Sequence, residues 1–69
     1  MSGRDPRRDP RLGDVFGHNG TSYRVSWVAT AGVEVEPRDF PYNGWITDAE
    51  WDEWAAGAEV LRTAEGVER

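Results

Sequence analysis

The feature that most limits how this chain can fold is the Asn-Gly pair at residues 19–20, followed at once by a segment of alternating character. Asn and Gly accept the positive φ angles of the two-residue turns that join antiparallel strands, so the pair predicts a β-hairpin. Residues 14–16 form its predicted first strand, and residues 21–29 its second. The second strand carries four side chains at alternate positions, which we predict to face the core: Tyr23, Val25, Trp27 and Ala29.

Three further short strands are predicted. In residues 33–36 both valines share one face and both glutamates the other, and Pro37 ends this strand because it cannot donate a ladder hydrogen bond. Residues 45–46 form a strand after the Asn-Gly turn at 43–44. Residues 59–62 are predicted to return as an edge strand. In the loop before the fourth strand, we expect Phe40, Pro41 and Tyr42 to close over the edge of the core.

One helix is predicted from Asp48 to about Ala56. Thr47 and Glu50 have the spacing of a capping box, in which each side chain bonds the other residue's backbone amide. The spacing of Trp51, Trp54, Ala55 and Ala58 predicts an apolar stripe toward the sheet. Three carboxylates then point away from it: Asp48, Asp52 and Glu53. Gly57 is predicted to end the helix in a left-handed conformation.

These elements predict an α+β fold, a small curved antiparallel sheet of about four to five short strands with one α-helix packed on it. Residues 13–62 are the predicted domain, and residues 63–69 a frayed tail. Residues 1–12 are a predicted extended arm, because each Asp-Pro step favours extended backbone. The arm could be a solvated tail or could pack on the body or a partner. With 69 residues and no cysteine, stability must come from packing.

Charge is distributed unevenly along the chain. Residues 1–12 hold four arginines against two aspartates, a net charge of +2, whereas residues 34–59 hold eight acidic residues against Arg38 alone, a net charge of -7. An acidic body argues against direct binding of DNA or RNA, since affinity for phosphates comes mainly from Lys and Arg. We therefore expect a basic protein partner.

Both ends of the chain carry distinctive motifs. The tetrapeptide Arg-Asp-Pro-Arg occurs at residues 4–7 and again at 8–11, before Leu-Gly-Asp-Val. Residues 51–60 are Trp-Asp-Glu-Trp-Ala-Ala-Gly-Ala-Glu-Val. Together these ends resemble a group of very short phage and prophage proteins with a DPR-x-DPR-x-GDV start and a W-x-x-W-A-x-G-A-E-V end. Those proteins can hold Arg or Lys where this chain has Asp or Glu. In size and acidity the chain is similar to anti-CRISPR proteins, phage inhibitors of nucleic-acid-handling host complexes that share no common motif.

The sequence offers little for catalysis or for a cofactor. His18, the only histidine, lies in the predicted turn, where we expect an exposed residue and not a general base. Asp48 and Asp52 could hold a hard cation weakly, but no EF-hand spacing surrounds them, and a solvated helix face is the better interpretation. The glycines match no nucleotide-binding fingerprint. We predict no catalytic, cofactor or metal residues. Without an apolar run, we expect no membrane segment or secretion, and the phage resemblance implies a cytoplasmic location in an infected bacterial host.

The candidate site is a partner-binding surface of acidic and aromatic residues. Glu34 and Glu36 share one side of a strand, and Asp48 and Asp52 lie one helical turn apart, so regular carboxylates could imitate phosphates to a basic groove. Solubility alone is the simpler explanation for this charge. Trp27, Trp51 and Trp54 are predicted to lie in the core, whereas Trp45 could be half exposed. The candidates are Glu34, Glu36, Asp39, Tyr42, Trp45, Asp48, Asp52 and Glu53.

The resemblance and the charge together lead to one functional hypothesis. The chain is expected to be a monomeric inhibitor, without cofactor or turnover, that binds a protein subunit of a type I CRISPR surveillance complex and blocks its DNA-binding groove. The alternative is a small phage structural or assembly protein whose Arg-rich arm contacts nucleic acid or a capsid partner. A hydrolase is a distant third.

Overall fold

A five-stranded antiparallel sheet, in the order β4-β3-β2-β1-β5, is crossed on one face by a single helix. The structure, a computed structural model, describes residues 4–66. Its elements are β1 (Val15–His18), β2 (Thr21–Ala29), β3 (Gly32–Pro37), β4 (Gly44–Thr47), α1 (Asp48–Ala56) and β5 (Glu59–Arg62). The predicted α+β fold is confirmed, and the sheet is open with β4 and β5 at its edges.

The central hairpin forms where the Asn-Gly pair predicts it. Asn19 has φ 49° and Gly20 has φ 81°, the positive angles of a tight hairpin turn, and His18 pairs with Thr21 across it. On the other side of β1, Phe16 pairs with Val60 of β5. The sequence-distant final strand therefore lies beside the first one.

The core lies between the sheet and the helix. Nine apolar side chains are buried there: Phe16, Val25, Val33, Val35, Ile46, Trp51, Ala55, Ala58 and Val60. Phe16 is fully buried, and its ring meets the edges of Trp51 and Trp54 at centroid distances of 5.5 and 5.7 Å. Such edge-to-face pairs add to the free energy gained from burial, so these three rings anchor the helix to the sheet.

The helix begins as predicted and ends differently. The amide of Glu50 donates to the Thr47 hydroxyl, while the Glu50 carboxylate accepts from the Thr47 amide, which completes the capping box. Gly57 has φ -93° and ψ 5°, so the predicted left-handed cap is wrong. The next residue, Ala58, is already buried. The chain passes directly from the helix into β5, and no left-handed reversal is needed.

A β-bulge in β2 overturns the predicted position of Trp27. Val25 pairs with Val35 but Trp27 pairs with Glu34, which leaves Ser26 as an extra residue on this strand. A bulge of this kind changes which face the following side chains occupy. Trp27 therefore lies on the sheet face opposite the helix, where 57% of it is exposed.

The N-terminal segment folds as a turn against the body, so the predicted extended arm is wrong over the described residues. The amides of Arg8 and Asp9 donate to the Asp5 carbonyl at 3.0 and 2.8 Å, and the amide of Arg7 donates to the Asp5 carboxylate. The Trp51 indole N–H donates to the Arg7 carbonyl at 2.6 Å. Asp5 is the first residue of this turn and Pro6 the second, a position that the fixed φ of proline favours, so the first Asp-Pro step begins a turn here. Residues 1–3 lie outside the described residues.

A buried carboxylate joins the two ends of the chain. Asp14 is fully buried and accepts two bonds of 2.7 Å from the Arg4 guanidinium. It also accepts from the amides of Arg11, at 2.8 Å, and Ala64, at 2.7 Å, and Arg4 reaches Glu65 at 2.8 Å. The predicted fraying is therefore wrong for residues 63–66, since these bonds hold that segment. Residues 67–69 lie outside the described residues.

The loop between β3 and β4 does not cover the core. Phe40 is 58% exposed and Tyr42 is 79% exposed, contrary to the expectation that they close over its edge. Val35 and Ile46, in the strands on either side of this loop, are buried in the core without it. These two aromatic rings are left at the surface.

Trp54→Ala is expected to lower the free energy of unfolding by about 3–5 kcal/mol, because Trp54 packs against Phe16, His18, Tyr23 and Trp51. Trp27→Ala is the matched control, an exposed tryptophan whose removal should change stability by no more than about 0.5 kcal/mol. Urea unfolding of both variants measures the difference. Equal losses would contradict the packing described here.

Asp14 should make stability depend on acid pH. Burial alone would raise the pKa of Asp14, but hydrogen bonds from Arg4 and from the amides of Arg11 and Ala64 hold that pKa below its usual value. Since the folded pKa is depressed, the stabilisation is complete above the unfolded value of about 3.9 and is lost as pH falls through the folded pKa. We expect the urea midpoint to fall below about pH 4.

Asp14→Asn should lower stability at pH 7 by about 3–5 kcal/mol, because it removes the buried counter-charge of Arg4 and leaves that guanidinium only the exposed Glu65, and should flatten the decline in acid. Asp9→Asn, at an exposed position, is the control. A variant at position 14 that keeps both wild-type stability and its acid response would show that this carboxylate does not join the termini.

Candidate protein-binding surface

Most of the described arginines are engaged within the fold. Arg4 pairs with Asp14, and Arg7 donates to the Ala58 carbonyl at 2.8 and 3.1 Å. The ion pairs of the other engaged arginines are Arg8 with Asp5, Arg11 with Asp9 and Glu65, and Arg24 with Glu36. Few cations are therefore left to neutralise the carboxylates of the body.

Three carboxylates lie on the outer side of α1, and we call them the helix carboxylate face: Asp48, Asp52 and Glu53. All three are exposed, and within residues 4–66 none forms an ion pair or a side-chain hydrogen bond. Asp48 suits the positive end of the helix dipole. Asp52, one turn later, gains little from that end, and its like-charge neighbour opposes helix formation. The fold does not account for this concentration of charge.

A second acidic surface lies on the sheet face that the helix leaves uncovered, the open sheet face. Val33 and Val35 point to the helix, so Glu34 and Glu36 point the other way. Their charges are less free than those of the helix. Glu36 pairs with Arg24, and one Glu34 oxygen accepts from the Ser26 hydroxyl at 2.9 Å.

The predicted site residues therefore do not form one surface. Glu34 and Glu36 lie on one side of the molecule, and the helix carboxylate face lies on the other, because the sheet and the buried core separate them. A single flat groove can contact only one side at a time. The single partner-binding surface that we predicted is therefore divided into two separate acidic surfaces.

The remaining predicted site residues lie around the open sheet face. Trp45 of β4 is 49% exposed and pairs with Glu34, as a half-exposed tryptophan was predicted to be. Asp39 and Tyr42 are exposed in the loop that precedes β4. Part of this loop, with Arg24 and Glu36, lines a shallow depression of about 430 Å³. Aromatic and charged side chains thus share this side of the molecule.

His18 is not the exposed turn residue that we expected. It is the last residue of β1, partly buried, and its ring stacks on Trp54 at 4.8 Å with an interplanar angle of 11°. With Glu50 and Glu53 these two residues border a shallow depression of about 390 Å³. No carboxylate among residues 4–66 hydrogen-bonds to His18, so its position here is explained by packing.

Within residues 4–66 no group of three or more His, Asp or Glu side chains is arranged to hold a metal ion. Among the same residues, α1 and any other helical turn are too short and too polar to cross a lipid bilayer.

The chain matches no protein-family model, no curated protein and no solved structure with which it was compared.

Sequence reasoning missed two residues of this side of the molecule, Ser26 and Trp27. The bulge that turns Trp27 outward has one trace in the sequence, the adjacent apolar pair Trp27 and Val28, which interrupts the alternation. It also missed the role of Asp14, which was assigned to the first strand. Asp14 is a buried carboxylate that bonds to both ends of the described chain. A single aspartate in a strand-like segment gives no signal of burial.

Asp52→Lys is expected to leave stability unchanged or to raise it by about 0.2–0.5 kcal/mol, because it replaces a like-charge pair with Asp48 by an attractive one. Glu50→Lys makes the same charge change on the same helix but breaks the capping box, and should cost about 0.3–1.5 kcal/mol. Thermal unfolding of the two variants provides the comparison. A clear loss in the Asp52 variant would mean that this carboxylate serves the fold.

Proposed function

We propose that this protein is a phage-encoded, non-catalytic inhibitor of a host defence complex, an anti-CRISPR protein that occupies the basic DNA-binding groove of a type I surveillance complex. The observation that carries the proposal is the helix carboxylate face, three exposed carboxylates that have no cation partner within residues 4–66 and of which only Asp48, in the first turn of α1, suits the helix dipole. The motifs at both ends of the chain, which resemble those of small phage proteins, supply the biological setting.

The mechanism is competition by charge. Asp48 and Asp52 are neighbours on the helix surface, with Cβ atoms about 5–6 Å apart. A row of carboxylates at this spacing presents negative charge to Lys and Arg side chains much as a phosphate backbone does. Truncating one partner of a desolvated charge pair typically costs about 2–5 kcal/mol of binding free energy, so the loss of these carboxylates should weaken binding strongly.

The contacts of the N-terminal segment favour this proposal over an assembly protein with a nucleic-acid-binding arm. Arg4 and Arg7 hold the segment to the body, and only Arg8 and Arg11 remain largely exposed. These two already have carboxylate partners. Deleting residues 1–11 would remove the two anchoring arginines as well, so an arm function must be tested with point variants.

Reversing the helix carboxylate face should abolish inhibition. A triple variant with Asp48→Lys, Asp52→Lys and Glu53→Lys is expected to lose the ability to prevent target DNA binding by a purified type I surveillance complex, measured by gel shift. Wild-type inhibition should also weaken as salt rises, because surface charges are screened within about 8 Å at 0.15 M ionic strength. The triple variant should keep the wild-type circular dichroism spectrum.

The controls are a double variant on the other face, Glu34→Lys with Glu36→Lys, and a third variant, Arg8→Gln with Arg11→Gln. Both should inhibit within a few-fold of wild type if the helix face carries the effect. Inhibition that survives the triple reversal would reject the phosphate-mimic mechanism. Loss of function in the arginine variant alone would favour the arm.

Order of addition tests the competition itself. Because binding free energies are reciprocal, target DNA bound first should exclude the protein as strongly as the protein excludes DNA. A stable ternary complex that binds DNA normally but does not cut it would replace competition with a block on nuclease recruitment.

A further inference from the structure

The open sheet face carries two half-exposed tryptophans on either side of one carboxylate. Trp27 of β2 and Trp45 of β4 both pair directly with Glu34 of β3, so the three residues form one row across the sheet. Neighbouring strands lie about 4.7–4.9 Å apart, which separates the backbones of the two tryptophans by about twice that distance. Both indoles remain about half exposed, at 57% and 49%.

Three features of the fold position this row. The bulge places both Ser26 and Trp27 near Glu34, and the Ser26 hydroxyl donates to one carboxylate oxygen at 2.9 Å. Trp45 lies over Gly32, where a Cβ would come within 2.9 Å of its indole ring and would overlap the Ile46 carbonyl oxygen. Only glycine fits beneath this ring. These contacts fix the positions of the three residues without a bound partner.

The chemistry of the row fits a cation. Glu34 forms no ion pair within the described part of the chain, and its second oxygen accepts no hydrogen bond there. Indole rings attract cations through the negative faces of their π systems, and tryptophan does so best among the aromatic residues. A planar guanidinium can stack on an indole and bond a carboxylate at the same time, which an ammonium cannot do as well.

The open sheet face already contains one pair between a glutamate and an arginine. Glu36, two residues along β3 from Glu34, is paired with Arg24 of the neighbouring strand. Within residues 4–66 no arginine pairs with Glu34 in this way, although its strand neighbours on both sides are tryptophans. A second copy of the protein is a poor occupant, because stacking two open faces would bring the glutamates of both copies together.

We propose that Trp27, Glu34 and Trp45 form a binding site for an arginine side chain displayed by a protein partner. This site goes beyond the proposed inhibition, which rests on the opposite side of the molecule. It gives the protein a second contact surface, in which an arginine of the partner takes the place next to Glu34 that Arg24 takes next to Glu36.

The site can be tested on the protein alone by titrating it with a blocked Gly-Arg-Gly tripeptide and following the indole N–H signals by NMR. The signals of Trp27 and Trp45 should shift, and those of Trp51 and Trp54 should stay in place. The same tripeptide with citrulline, which has the shape of arginine without its charge, should cause no shift. The lysine tripeptide should bind about two- to fivefold more weakly.

Variants complete the test. Glu34→Gln should reduce arginine binding about fivefold or more, whereas Glu53→Gln, on the helix carboxylate face, should leave the Trp27 and Trp45 shifts unchanged. Equal shifts with citrulline, or no effect of Glu34→Gln, would overturn the proposal. Equal affinity for lysine would overturn the assignment to arginine. None of these results depends on inhibition of a surveillance complex.

Discussion

The buried carboxylate of Asp14 connects parts of the chain that the sheet alone would leave separate. Removing a carboxylate from water is costly, and the cost is met only when each oxygen has partners. Asp14 satisfies this with Arg4, the amide of Arg11 and the amide of Ala64. Because these donors come from both ends of the described chain, Asp14 links the N-terminal segment to the segment that follows β5. A disulfide could make such a link in a chain with cysteines.

The contacts that hold the N-terminal segment also decide which charges are left at the surface. Arg4 and Arg7 bond to groups of the body, whereas Arg8 and Arg11 pair with aspartates of the N-terminal segment. The arginines of the N-terminal repeat therefore have bonding partners within the protein itself. What remains at the surface is the negative charge of the body, and α1 has no basic residue in its last turn to offset it.

Local rules predicted much of the fold but less of the site. The Asn-Gly turn, the Thr47 capping box and the Trp51 stripe depend on residues close in sequence, so their outcomes could be predicted from sequence alone. Trp27, by contrast, was placed by a bulge that only the register between β2 and β3 reveals. The burial of Asp14 needed partners up to 50 residues away. Tertiary contacts decided both.

The two candidate surfaces share one property, which is that each departs from the pattern that stabilises the fold. Like charges one turn apart on α1 oppose helix formation, and a bulge that turns Trp27 to solvent gives up apolar burial. The buried residues of β3 and α1, in contrast, follow the sheet or helix period of their element. Departures from local consistency are expected at functional sites, where selection acts on something other than stability. In a domain this small such departures are costly, and their placement on opposite sides matches the two contacts proposed above, which differ in chemistry: a row of carboxylates on the helix and a carboxylate beside two tryptophans on the sheet.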